Sequence, residues 1–148
     1  MVSVKILSQY QGPPPPPDTE DGDRSIPTPG PLYQESEIAR ALKGATAFAS
    51  VKCRQEWQDL METLEAQEPS IDFPDFLLDA IKRGDWKEAV WCKNSRGNWL
   101  ASDVYTYEFK YERALGRSWQ EFTVAYYLKF SIAATGVVVH MISCHPSR

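Results

Sequence analysis

The chain carries two histidines, His140 and His145, with Cys144 beside the second. A thiolate nucleophile needs a neighbouring base, a group to orient that base, and surroundings that lower the thiol pKa. On a strand, alternation groups His140 with Val138, Ile142 and Cys144 and turns His145 to the other face. The plainer reading is that Cys144 packs and His145 lies near a strand end. A metal centre needs three or four ligands at workable spacing, and the sequence has no CxxC, HxxxH or HExxH. It has neither a glycine-rich phosphate loop nor a GxSxG elbow. Asp75 and Asp79 share a helix face, as carboxylates on solvated helices routinely do. These residues point to no catalytic group, no metal, no cofactor and no small-molecule substrate. The chain reads as non-enzymatic.

Binding chemistry is better represented. Lys82, Arg83, Lys87, Lys93 and Arg96 stand against only Asp85 and Glu88, with Trp86, Trp91 and Trp99 in or beside the same window. Basic side chains interleaved with tryptophan suit contact with an anionic membrane surface or with phosphate groups. The competing reading packs the three indoles beneath a hairpin and leaves the cations in water. A second set is aromatic: Tyr105, Tyr107, Phe109 and Tyr111 form a stripe that reads as core. Alternatively, Tyr105, Tyr107, Phe109 and Tyr126 would line the pocket of an NTF2-like cone-shaped domain, with His140 as a polar group. A third possibility uses Tyr127, on the polar side of its strand, with the basic turn as a single-stranded RNA-binding surface.

The elements that must position these groups are legible. Ser50 could cap a helix to about Gln67, with Trp57, Leu60, Met61 and Leu64 on one face and Pro69 ending it. Asp72 to Gly84 predicts a second helix: Pro74 suits the first turn, Lys82 and Arg83 suit the last, and Gly84 suits the C-cap. Ser36 to Gly44 gives a weaker helical signal. After Gly84 the period changes to two. Residues 105–111 and 122–132 alternate, Gly116 falls between them, and 137–144 gives a further strand. Asn94–Gly97 predicts a hairpin turn between Val90–Cys92 and Trp99–Ala101, and 45–53 a short opening strand. The fold class is α+β, with N-terminal helices on one face of a three- to five-stranded antiparallel sheet.

Most of the 11 prolines precede residue 32. The predicted organisation is a disordered, acidic, Pro-rich arm over 1–34 and a single α+β domain over 35–148. The net charge of −4 leaves the domain close to neutral, so no broad attraction to nucleic acid is built in. Three cysteines without paired spacing suggest a reducing compartment. No signal peptide and no transmembrane segment are expected. Pro13, Pro14, Pro15, Pro16 and Pro17 form a polyproline II segment, and Pro27-Thr28-Pro29-Gly30-Pro31-Leu32-Tyr33 follows it. Either stretch could dock a partner of the WW or SH3 type.

The order of a Pro-rich tail and a small α+β domain resembles the matrix proteins of rhabdoviruses. Gly30-Pro31-Leu32-Tyr33 is similar to their Pro-Pro-x-Tyr budding motif with the leading proline replaced. Pro27-Thr28-Pro29-Gly30 is similar to a Pro-Thr/Ser-Ala-Pro motif. Asp72-Phe-Pro-Asp-Phe-Leu-Leu-Asp-Ala-Ile-Lys-Arg-Gly-Asp-Trp86 resembles the family's helix ending in tryptophan, and Asn94-Ser-Arg-Gly-Asn-Trp99 its basic turn. The resemblance implies a self-associating viral structural protein in the host cytoplasm, at the inner face of a membrane or virion envelope. It would bridge membrane and nucleocapsid, with Pro27, Thr28, Pro29, Pro31, Leu32 and Tyr33 recruiting host budding factors. Lys82, Arg83, Lys87, Lys93 and Arg96 would touch anionic lipid or nucleocapsid.

Overall fold

A computed structural model describes residues 6–10, 12, 24–43, 48–49, 54–66, 70–93, 97–134 and 139–146. In chain order the elements are β1 (Arg24–Ser25), α1 (Glu35–Lys43), β2 (Phe48–Ala49), α2 (Arg54–Glu65), α3 (Phe73–Arg83), β3 (Asp85–Lys93), β4 (Trp99–Leu115), β5 (Ser118–Ile132) and β6 (Val139–Pro146). The strands form one sheet in the order β1-β3-β4-β5-β6-β2. All pairings are antiparallel except β2 with β6. The α+β class is as the sequence predicts. β2 falls within the short strand expected over 45–53, whereas β1 is an addition at the other edge, its two residues too few to show a periodic pattern.

Helix α3 follows its sequence signals closely. The Asp72 carboxylate accepts from Asp75 N at 2.9 Å, Pro74 lies in the first turn, and Phe73, Phe76, Leu77 and Ala80 face the sheet. Gly84 caps the helix through its N–H to Ala80 O, but with φ −81° rather than in the left-handed region. Glycine is required there for space. A Cβ would strike Ala80 O and lie 2.7 Å from Thr106 O, both backbone atoms. Gly84→Ala is therefore expected to cost about 1–3 kcal/mol by forcing α3 away from β4, read as a lower thermal midpoint by circular dichroism.

The stripe of Tyr105, Tyr107 and Phe109 is core, as expected, and Tyr111 packs against it. Phe76 meets Tyr107, Phe109 and Tyr126 edge-on, with ring centroids 5.3–5.5 Å apart. Interlocked rings fill the space that an NTF2-like pocket would need. His140 pairs with Ser131, one residue out of phase with Phe130 and Ile132, so it lies on the opposite face of the sheet from Tyr105, Tyr107, Phe109 and Tyr126. Tyr105, Tyr107, Phe109 and Tyr126 come together as packed core, and His140 is not among them.

The expected disordered arm over 1–34 is corrected where it is described. β4 and β5 pair from Leu115↔Ser118 as far as Asp103↔Phe130 and then diverge. Residues 6–9 enter the fork. Ile6 bridges Trp99 and Ser8 bridges Ala133, with Leu7 N donating to Trp99 O and Gln9 N to Ile132 O. Ser8 Oγ accepts from Ala101 N at 3.0 Å. Further along, β1 joins β3, Ile26 is buried against Trp91 and Trp99, and Tyr33 is 2% exposed with its hydroxyl on Ala101 O. This segment holds several large apolar side chains, and the sheet leaves an apolar face uncovered until they fill it. Pro13–Pro17 lie outside the described residues, as do Ser50 and Cys53.

Asp103 fastens this junction. Fully buried at the fork, its carboxylate accepts from Leu32 N (3.0 Å), Tyr33 N (3.1 Å) and Trp86 Nε1 (3.0 Å). Burial raises its pKa above the ordinary carboxylate value, against the opposing effect of the three donors. Burial likewise pushes Tyr105 up to about 12, helped by the nearby Asp103 charge.

Candidate interaction surface

β3 accompanies β4 only to Thr106, and β6 accompanies β5 only from Tyr126. Residues 107–125 therefore continue beyond the main sheet as a two-stranded ribbon. Nine residues from Tyr107 to Leu115 span about 30 Å at ~3.3 Å each. Alternation creates two faces. Phe109, Tyr111, Phe122 and Val124 share one, where Tyr111 stacks on both Phe109 and Phe122 and α3 braces the base through Phe76. The other carries Glu108, Lys110, Glu112, Glu121, Thr123 and Trp119.

Support ends before the tip. From Glu112 to Glu121, every residue with a described side chain is exposed. Trp119 is 59% and Leu115 47% exposed, the exposed large hydrophobic side chains of the described residues. Gly116 turns the chain with φ +66°, a left-handed conformation that glycine adopts without a Cβ penalty. Glu112 lies directly opposite Glu121, a like-charge pair that weakens the ribbon from within. Isolated two-stranded ribbons are marginal in water.

Two open grooves flank the ribbon. One, of about 560 Å³, lies between α2 and the outer ribbon, with Asp59, Glu62 and Glu112 making it acidic and Trp119 forming part of its wall. The other, of about 570 Å³, opens where β3 stops and the ribbon leaves the sheet, beside Ile71, Gly84, Asp85 and Thr106. On its rim the Tyr107 hydroxyl donates to Asp79 Oδ2, and Arg83 Nε reaches Asp79 Oδ1 at 3.1 Å. Burial, then the Asp79 hydrogen bond and charge, hold the Tyr107 pKa above its ordinary value.

The residues expected to contact membrane or phosphate are dispersed. Lys82 pairs with Glu35 at 3.4 Å and Arg83 with Asp79, so neighbouring carboxylates answer both charges. Lys87 is exposed at the β3 bulge. Lys93, six residues along β3 and so about 20 Å away, lies 4.8 Å over the Trp99 ring. Arg96 lies outside the described residues. Trp91 and Trp99 are buried and Trp86 donates to Asp103, so the indoles are structural rather than interfacial.

The docking motif is corrected too. Pro27, Pro29 and Pro31 are exposed, Thr28 donates to Gly30 O within its own turn, Leu32 is half-buried, and Tyr33 is core. A Pro-Pro-x-Tyr ligand must offer its tyrosine, and this one is enclosed. Tyr127 is half-buried with Lys129 Nζ 5.9 Å from its ring, and Lys129 itself is buried. Burial lowers the His140 pKa, and its cross-strand neighbour Ser131 has a buried Oγ with no hydrogen-bond partner among the described residues. Cys92 is buried with Sγ 3.3 Å from Ser102 Oγ. No group of three or more His, Cys, Asp or Glu side chains among the described residues is arranged to hold a metal ion, and no described helix is long and apolar enough to cross a membrane.

Sequence reasoning missed the ribbon tip. Its signal was present: Leu115 and Trp119 flank Gly116, where a hairpin end is ordinarily polar. Family models, curated proteins and solved structures were all compared with the chain, and none matches.

Proposed function

We propose that this chain is a non-enzymatic assembly protein, matrix-like in the sense of its sequence resemblance, that self-associates through the projecting β4–β5 ribbon. The observation that carries this reading is the placement of Leu115 and Trp119 in water at the end of an arm that the domain does not otherwise brace. Trp119, exposed on this projection, is of the residue type over-represented where partners anchor. The membrane-contacting part of the resemblance draws no support from Lys82, Arg83, Lys87 and Lys93, which are dispersed and partly neutralised. Bridging to a nucleocapsid stays a proposal on the resemblance alone.

Sedimentation velocity tests self-association. The wild-type coefficient is expected to rise with concentration, and Leu115→Ser with Trp119→Ser to weaken the association about tenfold or more while leaving the thermal midpoint nearly unchanged. A wild type that sediments as one monomeric species throughout overturns the proposal.

A further inference from the structure

The ribbon has an open edge, and its charges select what can pair with it. β3 leaves β4 at Thr106 and β4 ends at Leu115, so no described strand pairs with the outer edge of residues 107–115. An unpaired edge offers a row of N–H and C=O groups to another strand. β5 presents the ribbon's other edge over 118–125.

We infer that the β4 edge of one copy pairs antiparallel with the same edge of a second copy, about a two-fold axis at Tyr111, giving a sheet continuous through both. This rests on the self-association reading above and names its geometry. A two-fold axis perpendicular to the sheet keeps each face on its own side, so residues of equal parity face one another. Centred on Tyr111, position 107 pairs with 115 of the second copy, and the whole free edge is used. Lys110 of each copy then stands opposite Glu112 of the other, giving two opposite-charge cross-strand pairs. Centring on Lys110 instead sets lysine against lysine and Glu108 against Glu112. Centring on Glu112 sets glutamate against glutamate. Charges on an edge commonly prevent pairing; in this order they oppose the registers centred on Lys110 and Glu112, while centring on Phe109 pairs Glu108 with Lys110 but uses only residues 107–111 of the free edge.

Two observations agree with that register. Glu112 already faces Glu121 within its own chain, and Lys110 of the second copy supplies the missing counter-charge. In that register the Gly116–Arg117 turn of one copy would also come to the groove beside Gly84 and Asp85 of the other, bringing Arg117 toward Asp85, both exposed in the single chain. The β5 edge offers no such match, since centring on Phe122 places Glu121 opposite Thr123.

The test is charge reversal on the full chain, read by sedimentation velocity at low salt with circular dichroism to verify folding. Lys110→Glu and Glu112→Lys are each expected to weaken association at least about tenfold, because each turns two attractive pairs repulsive. The double variant, Lys110→Glu with Glu112→Lys, recreates both pairs with the signs exchanged and is expected to return to within about threefold of wild type. Should wild type associate while the single reversals leave the affinity unchanged, or the double variant fail to recover, the β4-edge geometry is overturned and self-association stands by another surface. A monomeric wild type overturns both.

Discussion

Asp103→Ala is expected to destabilise the protein by about 3 kcal/mol or more, measured by urea unfolding at neutral pH. The substitution leaves Leu32 N, Tyr33 N and Trp86 Nε1 as buried donors without an acceptor, each costing about 1–3 kcal/mol. Loss of the buried charge offsets part of that cost, because the carboxylate's pKa is raised by desolvation. Asp103→Asn keeps an oxygen at one position but turns an amide donor toward a backbone N–H or the indole, and is expected to fall between wild type and alanine. The pH dependence has a definite sign. A carboxyl with its folded pKa above its unfolded value binds protons more tightly in the native state, so its contribution is most favourable below the unfolded value near 3.9. That contribution declines as pH rises from there to the raised folded value, and is level above it. Both substitutions should remove this decline, and an unchanged acid profile in Asp103→Ala would contradict the assignment.

Deleting residues 1–34 is expected to have the second large effect. A dispensable arm predicts an unchanged thermal midpoint, whereas the structure predicts loss of about 15 °C or failure to fold. Burial of Ile26 and Tyr33 contributes about 1.5–3 kcal/mol each. The deletion also removes two of the three donors to Asp103 and the backbone that fills the β4–β5 fork. Each kcal/mol is worth about 2–8 °C in domains of this size range. Tyr33→Ala separates the anchor from the rest, with an expected cost of about 3 kcal/mol. A midpoint within a degree or two of wild type for either variant would contradict the packing described.

What the sequence made legible was local. Asp72, Pro74, Lys82 and Arg83 announce α3 through capping and dipole chemistry that acts within a turn, and the alternation through Tyr105–Tyr111 announces β4 because one face is buried. The fork was not legible, because its partners stand 68 to 93 residues apart and nothing in Ser8, Leu32 or Tyr33 specifies Ala101 or Asp103. Proline density around residues 13–31 then obscured three buried or half-buried apolar residues, Ile26, Leu32 and Tyr33. Asp103 itself reads as one acid among many, since its function depends on donors that only tertiary structure brings together. The tryptophans misled in the opposite direction: indole beside lysine suits an interface, but Trp91 and Trp99 had an apolar face to bury against. The ribbon's extent was hidden because alternation is the same whether or not a strand has a neighbour on its outer edge.

The ribbon as the surface of self-association is tested most directly by amide hydrogen exchange at a dilute and a concentrated protein solution. Exchange should slow at high concentration within residues 107–125, most strongly from Tyr107 to Leu115, while α1, α3 and β3 are unaffected. Equal exchange rates along the ribbon at both concentrations would contradict the account.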